Sequence, residues 1–201
     1  MNSIPENSKY TVMPYARDRA VEYAKRWALS RNPLFSNFAG IGGDCTNFVS
    51  QAVLAGSCEM NDTPIFGWYF TSDSDRAPTW TGVDEFFDFM TGSGDFAPVL
   101  LRDGPFGYAT ERQYVELGDV VQLANESGEF YHTLIITSIG DADENGAREI
   151  FVSAHTNDAL DRPLSSYNNS FERFIHIIGT VSPIDSQPKN CFENLIAGVQ
   201  E

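Results

Sequence analysis

The chain has 201 residues, 42% of them apolar and 13% aromatic, which is enough for one domain with a full core and too short for two. A formal charge of −15 leaves no basic stripe for nucleic-acid phosphates and disfavours anionic membranes; it fits plain solubility or attraction to a cationic partner. No run approaches the roughly 20 apolar residues that cross a bilayer. The first residues lack the basic start and apolar run of a signal peptide, which reads as a cytoplasmic protein or a domain cut from a longer secreted one, with the compartment open.

Residues 1–14 are polar, end in Met13-Pro14 and are expected to form a loose arm. From Tyr15 to about Leu29 the period is helical, with Val21, Ala24, Trp27 and Ala28 on one face, and Asn32-Pro33 stops it. A loop closes with Gly40-Ile41-Gly42-Gly43-Asp44, and the clearest helix follows. Cys45, Phe48, Val49, Ala52 and Val53 recur at three- and four-residue steps, with Asp44 as N-cap and Gly56 just past the end. Residues 57–80 read as a long irregular loop, and Val83, Phe86, Phe87 and Met90 mark a third helix ended by Gly92-Ser93-Gly94. Strand-like runs come next, near residues 119–124, 130–138, 148–155 and 172–181, the second and third joined by a turn-rich stretch from Gly140 to Gly146. Helices first and consecutive strands second predict an α+β domain over residues 15–182, its N-terminal helices packed on an antiparallel sheet. A tail over 183–201 holds one short helix near Phe192 to Ala197.

Three cysteines, Cys45, Cys58 and Cys191, are too few for a disulfide scaffold, and their odd number leaves at least one thiol free. No CxxC pair exists and the three histidines lack zinc-site spacing, so neither a metal nor another cofactor is expected. Cys45 stands in the first turn of the best helix, directly after Gly42-Gly43-Asp44. Free N–H groups and the helix dipole there favour a thiolate and lower its pKa, and the same N–H groups can bind an oxyanion. A thiol needs a base, and His132 opens the strongest strand. His155 ends the following strand, so antiparallel pairing can set it beside His132, where it would orient the first imidazole. Asn157 and Asp158 are alternatives for that third role. His176 alternates with Phe174, Ile175, Ile177 and Ile178 and reads as a structural histidine.

The run Gly43-Asp44-Cys45-Thr46-Asn47-Phe48-Val49-Ser50-Gln51-Ala52, with Gly118-Asp119-Val120-Val121-Gln122, His132-Thr133-Leu134-Ile135-Ile136-Thr137 and Ala154-His155-Thr156-Asn157-Asp158, resembles the bacterial putative amidase-domain family. The resemblance covers the chain from about Tyr15 to Val181. More distantly the chain is similar to the CHAP and NlpC-type cysteine peptidases, which share a papain-like core. The resemblance implies that fold, with Cys45, His132 and His155 as nucleophile, base and third residue. It also implies hydrolysis of amide bonds, commonly in peptidoglycan peptides, so the expected partner is a peptide or peptidoglycan-peptide substrate. Asp44, Asn37, Trp68 and Trp80 are candidate substrate contacts, Asn37 as an oxyanion donor and the tryptophans as groove lining. An acyltransferase or transglutaminase-like activity on the same residues and a non-catalytic binding module are the competing expectations.

Overall fold

A computed structural model describes residues 9–96, 98–184 and 190–199. Of the arm expected over 1–14, residues 1–8 lie outside the described residues, as do 185–189, 200 and 201 of the expected tail.

Four helices fall where they were expected: α1 (Arg17–Trp27), α2 (Cys45–Ser57), α4 (Val83–Thr91) and α5 (Phe192–Ala197). The stretch 57–80, read as an irregular loop, instead holds a short hairpin and the start of a single-turn helix, α3 (Pro78–Thr81). Among the described residues nine strands complete the fold: β1 (Tyr10–Pro14), β2 (Phe70–Ser72), β3 (Asp75–Arg76), β4 (Gly104–Thr110), β5 (Val120–Ala124), β6 (Phe130–Ala142), β7 (Arg148–Ala154), β8 (Ala159–Pro163) and β9 (Phe171–Pro183). Apart from the β2–β3 hairpin, they form one seven-stranded antiparallel sheet in the order β1-β9-β5-β6-β7-β8, with β4 also on β9. β9 is long enough to pair with three strands. It carries β4 along one side and β5 then β1 along the other.

The sheet separates two cores, as the period-two alternation of its strands dictates. Val120, Ile135, Ile175 and Ile177 face the helices and pack with α1, α2 and α4. Val121, Leu123, Leu134 and Ile136 face the other way, against Ile150, Val152, Val115 and Leu164. The result is an α+β domain with helices on an antiparallel sheet.

Three further expectations change. The second half of the loose arm is strand β1, held on β9 with Tyr10 opposite Pro183. Its residues are mostly exposed, so no apolar alternation announces it. Gly56 is not a residue past the helix end: α2 runs to Ser57, and the left-handed position belongs to Cys58, with φ 51°. Gly56 is instead glycine because a Cβ there would fall on the Tyr15 ring. Finally, α2 is not amphipathic. Every residue from Cys45 to Gly56 is buried, so it is a central helix with α1 and α5, α3 and the sheet around it.

Candidate active site

A helix buried on all sides must find a partner for each polar side chain it carries. The Thr46-Asn47-Phe48-Val49-Ser50-Gln51 segment does so one residue at a time. Thr46 Oγ1 lies 2.9 Å from Thr133 Oγ1 of β6. Asn47 Nδ2 donates to the Ser36 carbonyl and to Asp44, while Asn47 Oδ1 accepts the Trp80 indole N–H at 2.8 Å. Ser50 accepts the Trp68 indole N–H and donates to the Trp80 carbonyl. Gln51 accepts from the Tyr23 hydroxyl at 2.7 Å. Trp68 and Trp80 are therefore wholly buried struts of the core rather than walls of a groove, which corrects their expected substrate role. Their indole N–H groups are satisfied by the helix itself, so neither ring needs a solvent edge.

Cys45 holds the first position of α2 and is 7% exposed. It is the free thiol, since Cys58 and Cys191 form a disulfide that ties the end of α2 to the start of α5. Pairing across 133 residues carries no signal in the spacing. Burial pushes the Cys45 thiol up, against the N–H of Thr133 and the Thr46 side chain and N–H, which favour the thiolate. The lowered pKa expected from the helix terminus is thus overridden by desolvation.

His132 sits at the near end of β6, opposite Leu123 of β5. Since Thr133 points to α2, strand alternation sends His132 to the other face with Leu134 and Ile136. There its ring is 6.3 Å from Tyr131 and 6.1 Å from Tyr167. Burial, with the Arg162 charge nearby, pulls its pKa down to about 4. No hydrogen bond joins it to Cys45 among the described residues. Cys45 Sγ lies 3.9 Å from Thr46 Oγ1, which in turn lies 2.9 Å from Thr133 Oγ1, so the thiol is linked through Thr46 to the residue that follows His132.

His155 is 1% exposed, stacks on the Phe48 ring at 4.0 Å, and is bonded at both nitrogens elsewhere. Nδ1 meets Asp44 Oδ2 at 2.7 Å and Nε2 meets the Trp27 carbonyl at 2.9 Å. Both nitrogens are thus taken up inside the protein, and neither is offered to His132. Asp158 is engaged by Arg31 through two hydrogen bonds, and Asn157 is exposed in a left-handed turn with φ 74°. None of the three candidates for the third role is bonded to His132. The expected side-by-side pairing of the two histidines fails because the β6–β7 register, Ile135 opposite Ser153, brings His155 level with Thr133, and alternation turns His155 to the α2 face and His132 to the other.

What His155 holds is Asp44. That carboxylate is fully buried, also accepts from the Phe38 N–H and from Asn47, and is ion-paired with Arg31 Nε at 3.1 Å. Burial works against its charge, but the hydrogen bonds from His155, Phe38 and Asn47 outweigh it and hold the carboxyl below its usual range. Its own N–H donates to Thr156 Oγ1 at 2.6 Å. Asp44 occupies the N-cap position but makes no capping bond with its side chain, and with each oxygen bound inside the protein it is no substrate contact. Asn37 is exposed, its Oδ1 accepting the Ala39 N–H. His176 is bonded to Asp119 at 2.8 Å on another part of the sheet, in line with its structural reading. Thr133, Arg31, Thr156 and Tyr167 are the residues that motif reading passed over. Thr133 and Thr156 had a signal, each standing directly after a histidine.

The family model described as "Putative amidase domain" matches residues 14–178, and the chain belongs to that family. It is 32% identical over 127 residues to the "Uncharacterized protein YhbB" of Bacillus subtilis (strain 168), covering 62% of this chain and 37% of that one. It is 27% identical over 161 residues to the "Uncharacterized protein YjcM" of the same organism, covering 76% and 34%. The chain thus spans about a third of the length of these relatives. No solved structure matches it.

Proposed function

We propose that this chain hydrolyses amide bonds through a thioester on Cys45, with His132 moving the proton, in a papain-like domain of the CHAP and NlpC type. The observation that carries the reading is the single free thiol at the start of a helix packed on the sheet, where Thr46 joins it to Thr133, the residue after His132. Membership of an amidase family supports the same class of reaction.

A buried thiol and an imidazole whose pKa is pulled down to about 4 make a neutral pair at rest, not a preformed ion pair. Attack then needs general-base help. His132 takes the thiol proton as sulfur bonds to the carbonyl carbon, and gives it to the amine as the carbon–nitrogen bond breaks. Water, with its proton passing to His132, frees the acid and restores the thiol. The Cys45 N–H at the helix start would hold the oxyanion. His155 acts at one remove, fixing Asp44 and through it the turn that presents Cys45. Peptides are the substrate class, with peptidoglycan peptides first among them. The test is incubation of the protein and a Cys45→Ala control with digested peptidoglycan and a peptide library, read by mass spectrometry. Products that gain one water and vanish in the control are expected; unchanged turnover by Cys45→Ala ends the proposal.

A further inference from the structure

The Cys58–Cys191 bond stands at one end of a continuous set of contacts whose other end is Cys45. Cys191 opens α5, and its carbonyl accepts the Leu195 N–H one turn further on. The Leu195 carbonyl in turn accepts from two side chains at once, the Trp27 indole N–H at 3.3 Å and Asn32 Nδ2 at 2.8 Å. A Cβ on Gly198 would fall 3.1 Å from the Trp27 ring, so α5 is seated directly on it. From this seat two branches converge on one carboxylate. The Trp27 carbonyl meets His155 Nε2, and His155 Nδ1 meets Asp44. Asn32 follows Arg31, whose Nε is ion-paired with Asp44. Asp44 immediately precedes Cys45. Helix α5 itself is six residues long, too short to persist by its own hydrogen bonds, so its seat depends on buried Phe192 and Leu195 and on the covalent tie. Both cysteines of that tie are half-buried, within reach of a small thiol reagent. Cys58 Sγ already accepts the Cys191 N–H at 3.2 Å, which favours it as the sulfur that leaves.

We propose that Cys58–Cys191 is a redox latch on access to Cys45, closed while oxidised and opened by a dithiol. As control of a catalytic thiol, this rests on the amide-hydrolase reading. One sulfur of the dithiol bonds to Cys191 Sγ as the Cys58 sulfur leaves. The second sulfur of the reagent then displaces Cys191. The reagent ends as a disulfide, and its two protons and two electrons end on the two cysteine thiols. Freed of its tether, α5 withdraws the Leu195 carbonyl from Trp27 and Asn32, and the turn that Asp44 holds beside Cys45 loosens.

The experiment compares iodoacetamide labelling of Cys45 in the full oxidised chain and in the same chain reduced by dithiothreitol and desalted, well below both melting temperatures, with mass mapping of the adducts. Reduction should speed labelling of Cys45 about fivefold or more, the change expected when one ordinary hydrogen bond no longer holds the closed state. The double variant Cys58→Ser, Cys191→Ser should match the reduced rate and ignore the reductant. Trp27→Phe, which keeps a ring and removes the indole N–H, should speed labelling of the oxidised chain. A disulfide that only stabilises lowers the melting temperature and leaves the labelling rate alone. Equal rates in the two redox states, or no change in Trp27→Phe, overturn the latch. Hydrogen exchange of the unsubstituted chain is the second reading. Reduction should deprotect the Gly198 and Val199 amides together with those of Asp44 and Phe48, and loss confined to the first pair overturns the latch. Peptide turnover in both states separates the two proposals. Faster labelling without turnover in either state overturns the hydrolase and leaves the latch; turnover with equal labelling overturns the latch and leaves the hydrolase.

Discussion

Replacing His155 by Ala should reveal a structural pair, not a catalytic relay. The substitution removes the 2.7 Å bond to Asp44 and the 2.9 Å bond to the Trp27 carbonyl, and strips the 4.0 Å stack from Phe48. Asp44 keeps Arg31, Phe38 and Asn47 but stays wholly buried. Stripping one hydrogen bond from a buried carboxylate costs about 1.5–3 kcal/mol, so a domain of this size should lose roughly 5–10 °C in melting temperature. A double-mutant cycle with Asp44→Asn isolates the pair: the second substitution should cost much less in the His155→Ala background than alone, with coupling of about 1–3 kcal/mol. Urea unfolding of the four proteins measures it. The folded fraction of His155→Ala should retain activity with the same pH profile. A loss under about 1 kcal/mol, or no coupling, would refute the pairing argument. A shifted pH profile would return His155 to the proton path. The pair also has a pH signature. A carboxyl held below its ordinary value near 3.8 contributes stability that is full above that pH and is lost as the pH falls through the folded value.

Iodoacetamide should label Cys45 alone in the unreduced protein, slowly at neutral pH and faster as the pH climbs past the ordinary thiol value; mass mapping of Cys58 or Cys191 adducts would contradict this. His132, neutral when buried, binds fewer protons folded than unfolded between its ordinary 6.5 and about 4. Stability should therefore drop as the pH is lowered through that window, by roughly 3 kcal/mol in all, and His132→Gln should flatten the drop in a series of denaturant titrations. Reducing the disulfide, which closes a span of 133 residues, should cost about 3–5 kcal/mol, visible as a lower melting temperature in dithiothreitol that Cys58→Ala reproduces.

Local order was legible where side-chain period is strong. The α1, α2 and α4 helices and strands β5, β6, β7 and β9 all carry it. Strand β4, written Gly104-Pro105-Phe106-Gly107-Tyr108-Ala109-Thr110, hides behind two glycines and a proline, and it needs Gly107 because a Cβ there would strike the His176 backbone. The β8 strand is five residues at the edge, and Asp161, Arg162 and Pro163 leave it no apolar period. The candidate nucleophile was legible because its neighbours in sequence, two glycines and an acid, are also its neighbours in space. Partners of the histidines were not, since Asp44 lies 111 residues before His155 and only the end of β7 brings them together. Burial of Cys45 and His132, which sets the sign of both pKa shifts, comes from elements far along the chain that no motif encodes.

The cysteine-bearing helix is fastened at both ends. At its start, Asp44 and Thr156 rivet it to the end of β7; at its finish, the Cys58–Cys191 bond bolts it to α5. Such a helix has no freedom to rise toward a substrate, yet its thiol is only 7% exposed. Access must then be made by movement of what covers the thiol and not by the nucleophile. In the proposed reaction, turnover would be paced by how often that cover opens, and substitutions that loosen it would speed the reaction without touching a reacting atom.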